Sequence, residues 1–368
     1  MTISPNVVYF LKASTCEYPP TPTAYRLLAR RALSLFDLKL PAEGTVLLKP
    51  NATVLYEADS RIITHPEFLA GLLDVLIDTG ISPDRLRVGD SQSGEFPDKG
   101  LTWESCGYLP MLTNFGVELV ALAESEHIKV PVPDGVVYDA FPFAREVAEC
   151  AHLINVPVAK CHNLGCITLA TKNLMGVLLK PVRHFCRIQE VDNVLSEVDL
   201  WRLIESGISR FEDRFCQKLA DLLSAVRNLG ISRLNVIDGL VGRDGTAFNF
   251  GNNHPLGWTL IGENELHVDT VATFLMGLDP EAIPILQVLA ERGFGTNRID
   301  EIEIIDVETR APIDEISKYR SVNIFMPAAK KQNGHYNRFR SDGTIVPWNI
   351  DRVNEQRKKD GLPSIPIT

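Results

Sequence analysis

Val46-Leu47-Leu48-Lys49-Pro50-Asn51 decides how this chain reads: an apolar run of strand length breaks at Pro50 and delivers a lysine and an amide into a loop. The next element begins at Thr64, with Glu67 at the capping-box spacing and Pro66 in the first turn. Phe68, Leu69, Leu72, Leu73 and Leu76 fall on one helical face, and Gly80 closes the helix. Leu86-Arg87-Val88-Gly89-Asp90 then reads as a second strand, ending in the small-residue loop Ser91-Gln92-Ser93-Gly94. Strand, helix and strand within residues 46–90 make a βαβ unit, which requires a parallel pair. Functional loops of such sheets lie at the carboxyl ends of the strands, where Asn51 and Asp90 fall.

Working outward, residues 117–120 and 153–156 read as further strands, and 199–228 as a helix through Leu200, Leu203, Ile204, Ile208, Phe211 and Leu219. A strand at 234–238, helices at 268–276 and 281–292, and a strand at 301–305 outline more α/β structure. The fold class expected is therefore α/β in two lobes. Residues 1–228 form the larger lobe, with a mostly parallel sheet and helices on both faces. Residues 229–326 form a smaller α/β lobe, with the active cleft between the two and the 199–228 helix connecting them. Residues 327–368, polar and basic with Lys330, Lys331, Arg338 and Arg340, read as an extended arm.

The 368 residues are 45% hydrophobic and 23% charged, the mix of a packed globular protein. A net charge of −10 and a pI near 5.4 argue against broad nucleic-acid or anionic-membrane binding. The first 30 residues lack a signal-peptide pattern, and no apolar stretch approaches the length of a membrane span, so a cytoplasmic protein is expected. Seven cysteines, at 16, 106, 150, 161, 166, 186 and 216, form no CxxC pair and read as free thiols. Cys161, Cys166, His184 and Cys186 could hold zinc or an iron–sulfur cluster, but their spacings are not those of two-residue ligand knuckles, and buried inert thiols are the simpler reading.

The densest chemistry lies in Lys160-Cys161-His162, Thr171-Lys172-Asn173-Leu174-Met175-Gly176 and His184. Following the 153–156 strand directly, this stretch is expected as a strand-end loop and a helix start. Lysines beside helix amides bind carboxylate or phosphate. A histidine near its pKa serves as acid/base or as a metal ligand. The plainer alternative is surface polarity with two satisfied histidines.

Leu48-Lys49-Pro50-Asn51, Thr64-His65-Pro66-Glu67, Gly89-Asp90-Ser91, Ile154-Asn155-Val156-Pro157 with Lys160 and His162, and Thr171-Lys172-Asn173-Leu174-Met175-Gly176 resemble, in order, the motifs of the domain-of-unknown-function 362 family. His184, Val236-Ile237-Asp238-Gly239 and Val268-Asp269 continue the likeness, which runs from about residue 44 to 306. The ferredoxin-type cysteine run of many members is absent. A more distant likeness is to the lactate racemase family, through Thr64-His65-Pro66 and the order His162, Lys172, His184. That likeness implies His162 as acid/base, Lys172 as anchor of a nickel-pincer cofactor or substrate, and His184 as metal ligand. The racemases also carry a histidine at the Gly89 loop, where this chain has Asp90-Ser91-Gln92.

Together these readings predict an enzyme on a small anionic, carboxylate-bearing metabolite. His162, Lys172 and Lys160 are the expected catalytic residues. Lys49, Asn51, Asn173 and Ser91 bind substrate, and His184, Asp90 and Asp238 hold a divalent transition metal (iron, manganese or nickel). The alternatives are an iron–sulfur or cofactor-binding redox protein and a racemase-like enzyme of 2-hydroxy acids. No nucleic-acid or membrane partner is expected, and assembly as a homo-oligomer is open.

Overall fold

The computed structural model describes residues 1–14, 18–52, 54–91, 102–162, 165–179, 208–244 and 252–321, with backbone only over 208–214. His184, Gln92, Cys16, Cys186 and the expected arm 327–368 lie outside the described residues.

The strands are β1 (Val7–Lys12), β2 (Val46–Pro50), β3 (Leu86–Asp90), β4 (Glu118–Ala121), β5 (His127–Pro131), β6 (Ala140–Ala144), β7 (His152–Val156), β8 (Val158–His162), β9 (Cys166–Thr168), β10 (Ser232–Arg243), β11 (Asn253–Gly262) and β12 (Glu303–Asp306). Ten of them form one sheet, ordered β12-β1-β11-β10-β7-β2-β3-β4, with β8 paired to β10 and β9 to β8. β5 and β6 form a separate hairpin. The run β10-β7-β2-β3-β4 is parallel throughout, as the βαβ reading requires. Antiparallel pairs join β11 to β1 and β10, and β8 to β9.

Helices cover both faces, as expected. On one lie α1 (Pro22–Ser34), α2 (Pro66–Asp78) and α3 (Tyr108–Phe115), packed over Leu48, Val88, Ile154 and Val236. The five apolar residues foreseen for α2 are all buried. Each contributes about 1.5–3 kcal/mol by leaving water. Gly71 lets α1 approach α2: a Cβ there would lie 2.3 Å from the Arg26 carbonyl oxygen. The short helices α4 (Arg145–Ala148) and α5 (Ala170–Asn173) follow. The other face carries α6 (Ile208–Asn228), α7 (Glu265–Leu275) and α8 (Pro284–Glu291) over Leu47, Leu153, Ile237 and Leu260.

The sheet does not stop at the expected boundary between residues 228 and 229. β10 and β11, taken for a second lobe, stand in the middle of it, between β7 and β1. Val236 and Ile237 of β10 bury into opposite cores, as a strand inside a sheet covered on both faces does. α6 is likewise a covering helix and not a connector, burying Phe215, Leu219, Leu222, Leu223 and Val226 in the core on that face.

Candidate functional site

The β2–α2 loop arches over the carboxyl ends of the parallel strands and is fastened there by Thr64. Its hydroxyl donates to the Val156 carbonyl at 2.6 Å and accepts from Asn51 N at 2.8 Å. The expected capping role therefore passes to His65, whose Nδ1 accepts from Glu67 N at 3.1 Å. A hydroxyl spent tying two strand ends together is not available to cap a helix.

Lys49 and Asp90 meet directly beneath this loop. Lys49 Nζ lies 2.8 Å from Asp90 Oδ1, with both side chains fully buried. Burial lowers the Lys49 ammonium below its ordinary value, and Asp90 pulls it back. Asp90 also accepts from Ala52 N at 2.6 Å and Ser91 N at 2.9 Å. Gly176 closes over the pair, since a Cβ there would stand 1.8 Å from Asp90 Oδ1. Ser91 is itself fully buried, its N–H reaching the Gly176 carbonyl at 3.0 Å.

Asn51 and Asn173, expected to bind substrate, instead join a chain of buried amides. Lys160 Nζ donates to Asn51 Oδ1 (2.6 Å), Asn51 Nδ2 to Asn173 Oδ1 (2.9 Å), Asn173 Nδ2 to Asn155 Oδ1 (2.8 Å) and Asn155 Nδ2 to Asn235 Oδ1 (2.9 Å). Asn235 Nδ2 ends the chain on the Gly262 carbonyl at 3.1 Å. Every amide accepts from one neighbour and donates to the next, so the chain is polarised and its members reinforce one another. Lys160 also donates to the Ile62 carbonyl at 2.6 Å, locking it to the β2–α2 loop. Burial, and then Lys172 and Arg243, push the Lys160 ammonium well below its ordinary value.

Lys160 and His162 stand on strand β8, not in a loop, because β8 continues past Pro157 along β10 and turns back as β9. His162 Nδ1 accepts the Gly165 N–H at 3.1 Å, which leaves Nε2 to carry the proton of the neutral ring. Lys172 is half-buried on α5 beside that turn, its Cδ 3.7 Å from where a Gly165 Cβ would be. Arg243 of β10 sits in register with Lys160. Asp269 of α7 positions α5 by accepting from Ala170 N (2.6 Å) and Thr171 N (2.9 Å).

Asp238, read from sequence as a metal ligand, is placed with His65: it accepts His65 N and Leu240 N, each at the long distance of 3.4 Å. Burial raises its carboxyl to about 7. His65 stacks on Tyr25, with ring centroids 4.1 Å apart and planes 6° apart, and Arg61 lies 4.9 Å from the same ring. Burial lowers the His65 ring to about 4. Among the described residues no three His, Cys, Asp or Glu side chains are grouped to hold a metal. Cys161 and Cys166 are buried, and burial pushes the Cys161 thiol up, as expected of inert thiols.

Thus Lys49, Asn51, Asp90, Lys160 and Asn173 come together, with His162 and Lys172 at the adjoining hairpin. Arg61, Arg243 and Asn235 were not foreseen. None carries a motif in sequence, and only strand pairing or loop closure brings it to the others.

Residues 46–274 match the family described as Domain of unknown function (DUF362). The chain belongs to this family. A thylakoid-associated protein of Synechocystis sp. is a relative, 24% identical over 252 residues and covering 68% of each chain. Among solved structures, the lactate racemase apoprotein of Thermoanaerobacterium thermosaccharolyticum is similar with a TM-score of 0.38 at 11% identity, over 72% of this chain and 55% of that one. A Thermotoga maritima protein is similar with a TM-score of 0.35 at 10% identity, over 61% of this chain and 52% of that one. The chain spans about half the length of these two structures. No helix among the described residues of this DUF362 protein is long and apolar enough to cross a membrane.

Proposed function

We propose that this DUF362 protein is an enzyme acting on a small carboxylate-bearing metabolite at the β8–β9 hairpin. The observation that supports it most is the charge gathered around Lys160: among the described residues the half-buried Lys172 and Arg243 and the buried Lys49 act on it, against the carboxylate Asp90, with Asp244 beside Arg243. Cations set together at a partly buried hairpin suit an anionic ligand. In this reading Lys172 and Arg243 hold the substrate carboxylate. Lys49 stays committed to Asp90 and supports the site from below. His162 serves as the acid side of the chemistry, donating from Nε2 while Gly165 N–H fixes its tautomer.

In this reading a divalent transition metal would be held by His184 with Asp238 or Asp90, the Asp90 oxygens also taking Lys49 and two main-chain N–H groups. The same reading takes the enzyme to be cytoplasmic, and without a nucleic-acid partner, the latter being supported by the net charge of −10. The test is a screen of 2-hydroxy and 2-oxo acids by NMR, repeated with His162→Ala. Turnover should fall by about 10²–10⁴-fold while binding of the acid is kept. Loss of binding with turnover per bound acid unchanged would refute the role given to His162.

A further inference from the structure

The two buried lysines of the site are held in opposite ways. Lys49 Nζ faces a carboxylate oxygen at 2.8 Å. Among the described residues, Lys160 Nζ hydrogen-bonds only to neutral oxygens, Asn51 Oδ1 and the Ile62 carbonyl, each at 2.6 Å. Both acceptors are fixed. The Ile62 oxygen is main chain. The Asn51 oxygen is set by the amide chain: Asn173 Nδ2 meets the main-chain carbonyls of Lys49 (3.3 Å) and Pro50 (3.4 Å), so its Oδ1 takes Asn51 Nδ2. Asn51 Oδ1 is then turned to Lys160. Two acceptors match the two N–H bonds of a neutral amine and leave its lone pair unengaged. An ammonium would carry a third N–H for which the described residues offer no acceptor.

We propose that Lys160 is held as an uncharged amine and is the proton acceptor of the site. For its substrate this rests on the reading above, an acid anchored at Lys172 and Arg243. In the step, a C–H or O–H bond of the substrate breaks and its electron pair stays on the substrate. The proton joins the Nζ lone pair. The two existing N–H bonds keep their acceptors and become charge-assisted as the ammonium forms. Imine formation with a substrate carbonyl would instead remove one N–H in the iminium, and both in the neutral imine, leaving an oxygen that now holds an N–H without it. The geometry therefore fits a base and not a nucleophile. Among the described residues the charged groups acting on Nζ are Lys172 on α5, Arg243 on β10, Lys49 on β2 and Asp90 on β3, and burial with the first two disfavours the ammonium.

The test is a pH titration of the full chain labelled with ¹³C at lysine Cε and followed by NMR, with Lys160→Met assigning the signal. The expected result is one signal, missing in Lys160→Met, that is an amine at pH 7 and titrates well below the surface lysines. In Asn51→Asp, which sets a carboxylate against Nζ, it should move back towards them. A Lys160 signal that is an ammonium at pH 7 in the unsubstituted protein overturns the proposal. Exchange of C–H protons of pyruvate, 2-oxoglutarate and lactate in D₂O provides the second measurement. Exchange that falls about a hundredfold or more in Lys160→Met supports the base; exchange unchanged in that variant overturns it, as does borohydride trapping of pyruvate on Lys160. If none of the three acids exchanges, the acid-metabolite reading fails, and the titration still decides the state of Lys160.

Discussion

Asp238 shows what burial does to a single carboxyl. Its two backbone donors are long, at 3.4 Å, and burial raises it to about 7 from an ordinary 3.8. The folded state therefore keeps a proton that the unfolded chain has released. Between pH 4 and pH 7 this carboxyl binds a proton in the native state that it lacks in the unfolded chain, so its contribution to stability falls as pH rises through that window. For this one group the slope is at most about 1.4 kcal/mol per pH unit. Asp238→Asn should remove this falling contribution, so that stability at pH 7.5 rises relative to that at pH 4.5 in the variant, with urea unfolding at the two pH values as the measurement. An unchanged difference between those two pH values would show that Asp238 is already ionised. His65, lowered to about 4 from an ordinary 6.5, is neutral in the fold where the unfolded chain is protonated, so between those two values it adds the opposite slope, its contribution rising with pH.

At the scale of elements, the short helix α5 depends on a carboxylate from another element. Four residues cannot sustain a helix alone. Asp269 supplies what is missing by taking two buried N–H groups that would otherwise be orphaned. Asp269→Ala should cost about 1–3 kcal/mol for each N–H left unsatisfied. It should also loosen Lys172 and Asn173, so stability by urea unfolding and affinity for a carboxylate ligand fall together. Asp269→Asn retains one acceptor and should recover part of both. Full affinity in the alanine variant would mean that α5 does not position Lys172. The β2–α2 loop obeys the same logic, with Thr64 and Lys160 as its fasteners.

At the scale of the molecule, continuity of the sheet governs folding. Residues 1–228 contain β1 and β7 but not β10 and β11, the strands that stand between them. Expressed alone, that segment would expose the β7 edge and both apolar faces of β1, and it should not fold. Loss of dispersion in its amide NMR spectrum is the expected outcome; a well-dispersed spectrum would restore the two-lobe division.

Residues 46–90 were legible because local pattern suffices there: an apolar strand, a helix with its face at helical spacing, and a second strand can be joined only as a parallel pair. Ordered motifs in the same way marked Lys49, Asn51, Asp90, Lys160 and Asn173 as one group, and those five do converge. Other features depend on pairing between residues far apart in the chain. That β8 continues along β10 as a strand, that Thr64 ties a loop where a helix cap was expected, and that β10 and β11 enter the first sheet all follow from such pairing. A hydrogen-bond partner a hundred residues away leaves no periodicity, so the sequence named the polar groups while the tertiary structure alone decided which acceptor each received, and hence which lysine meets a carboxylate and which does not.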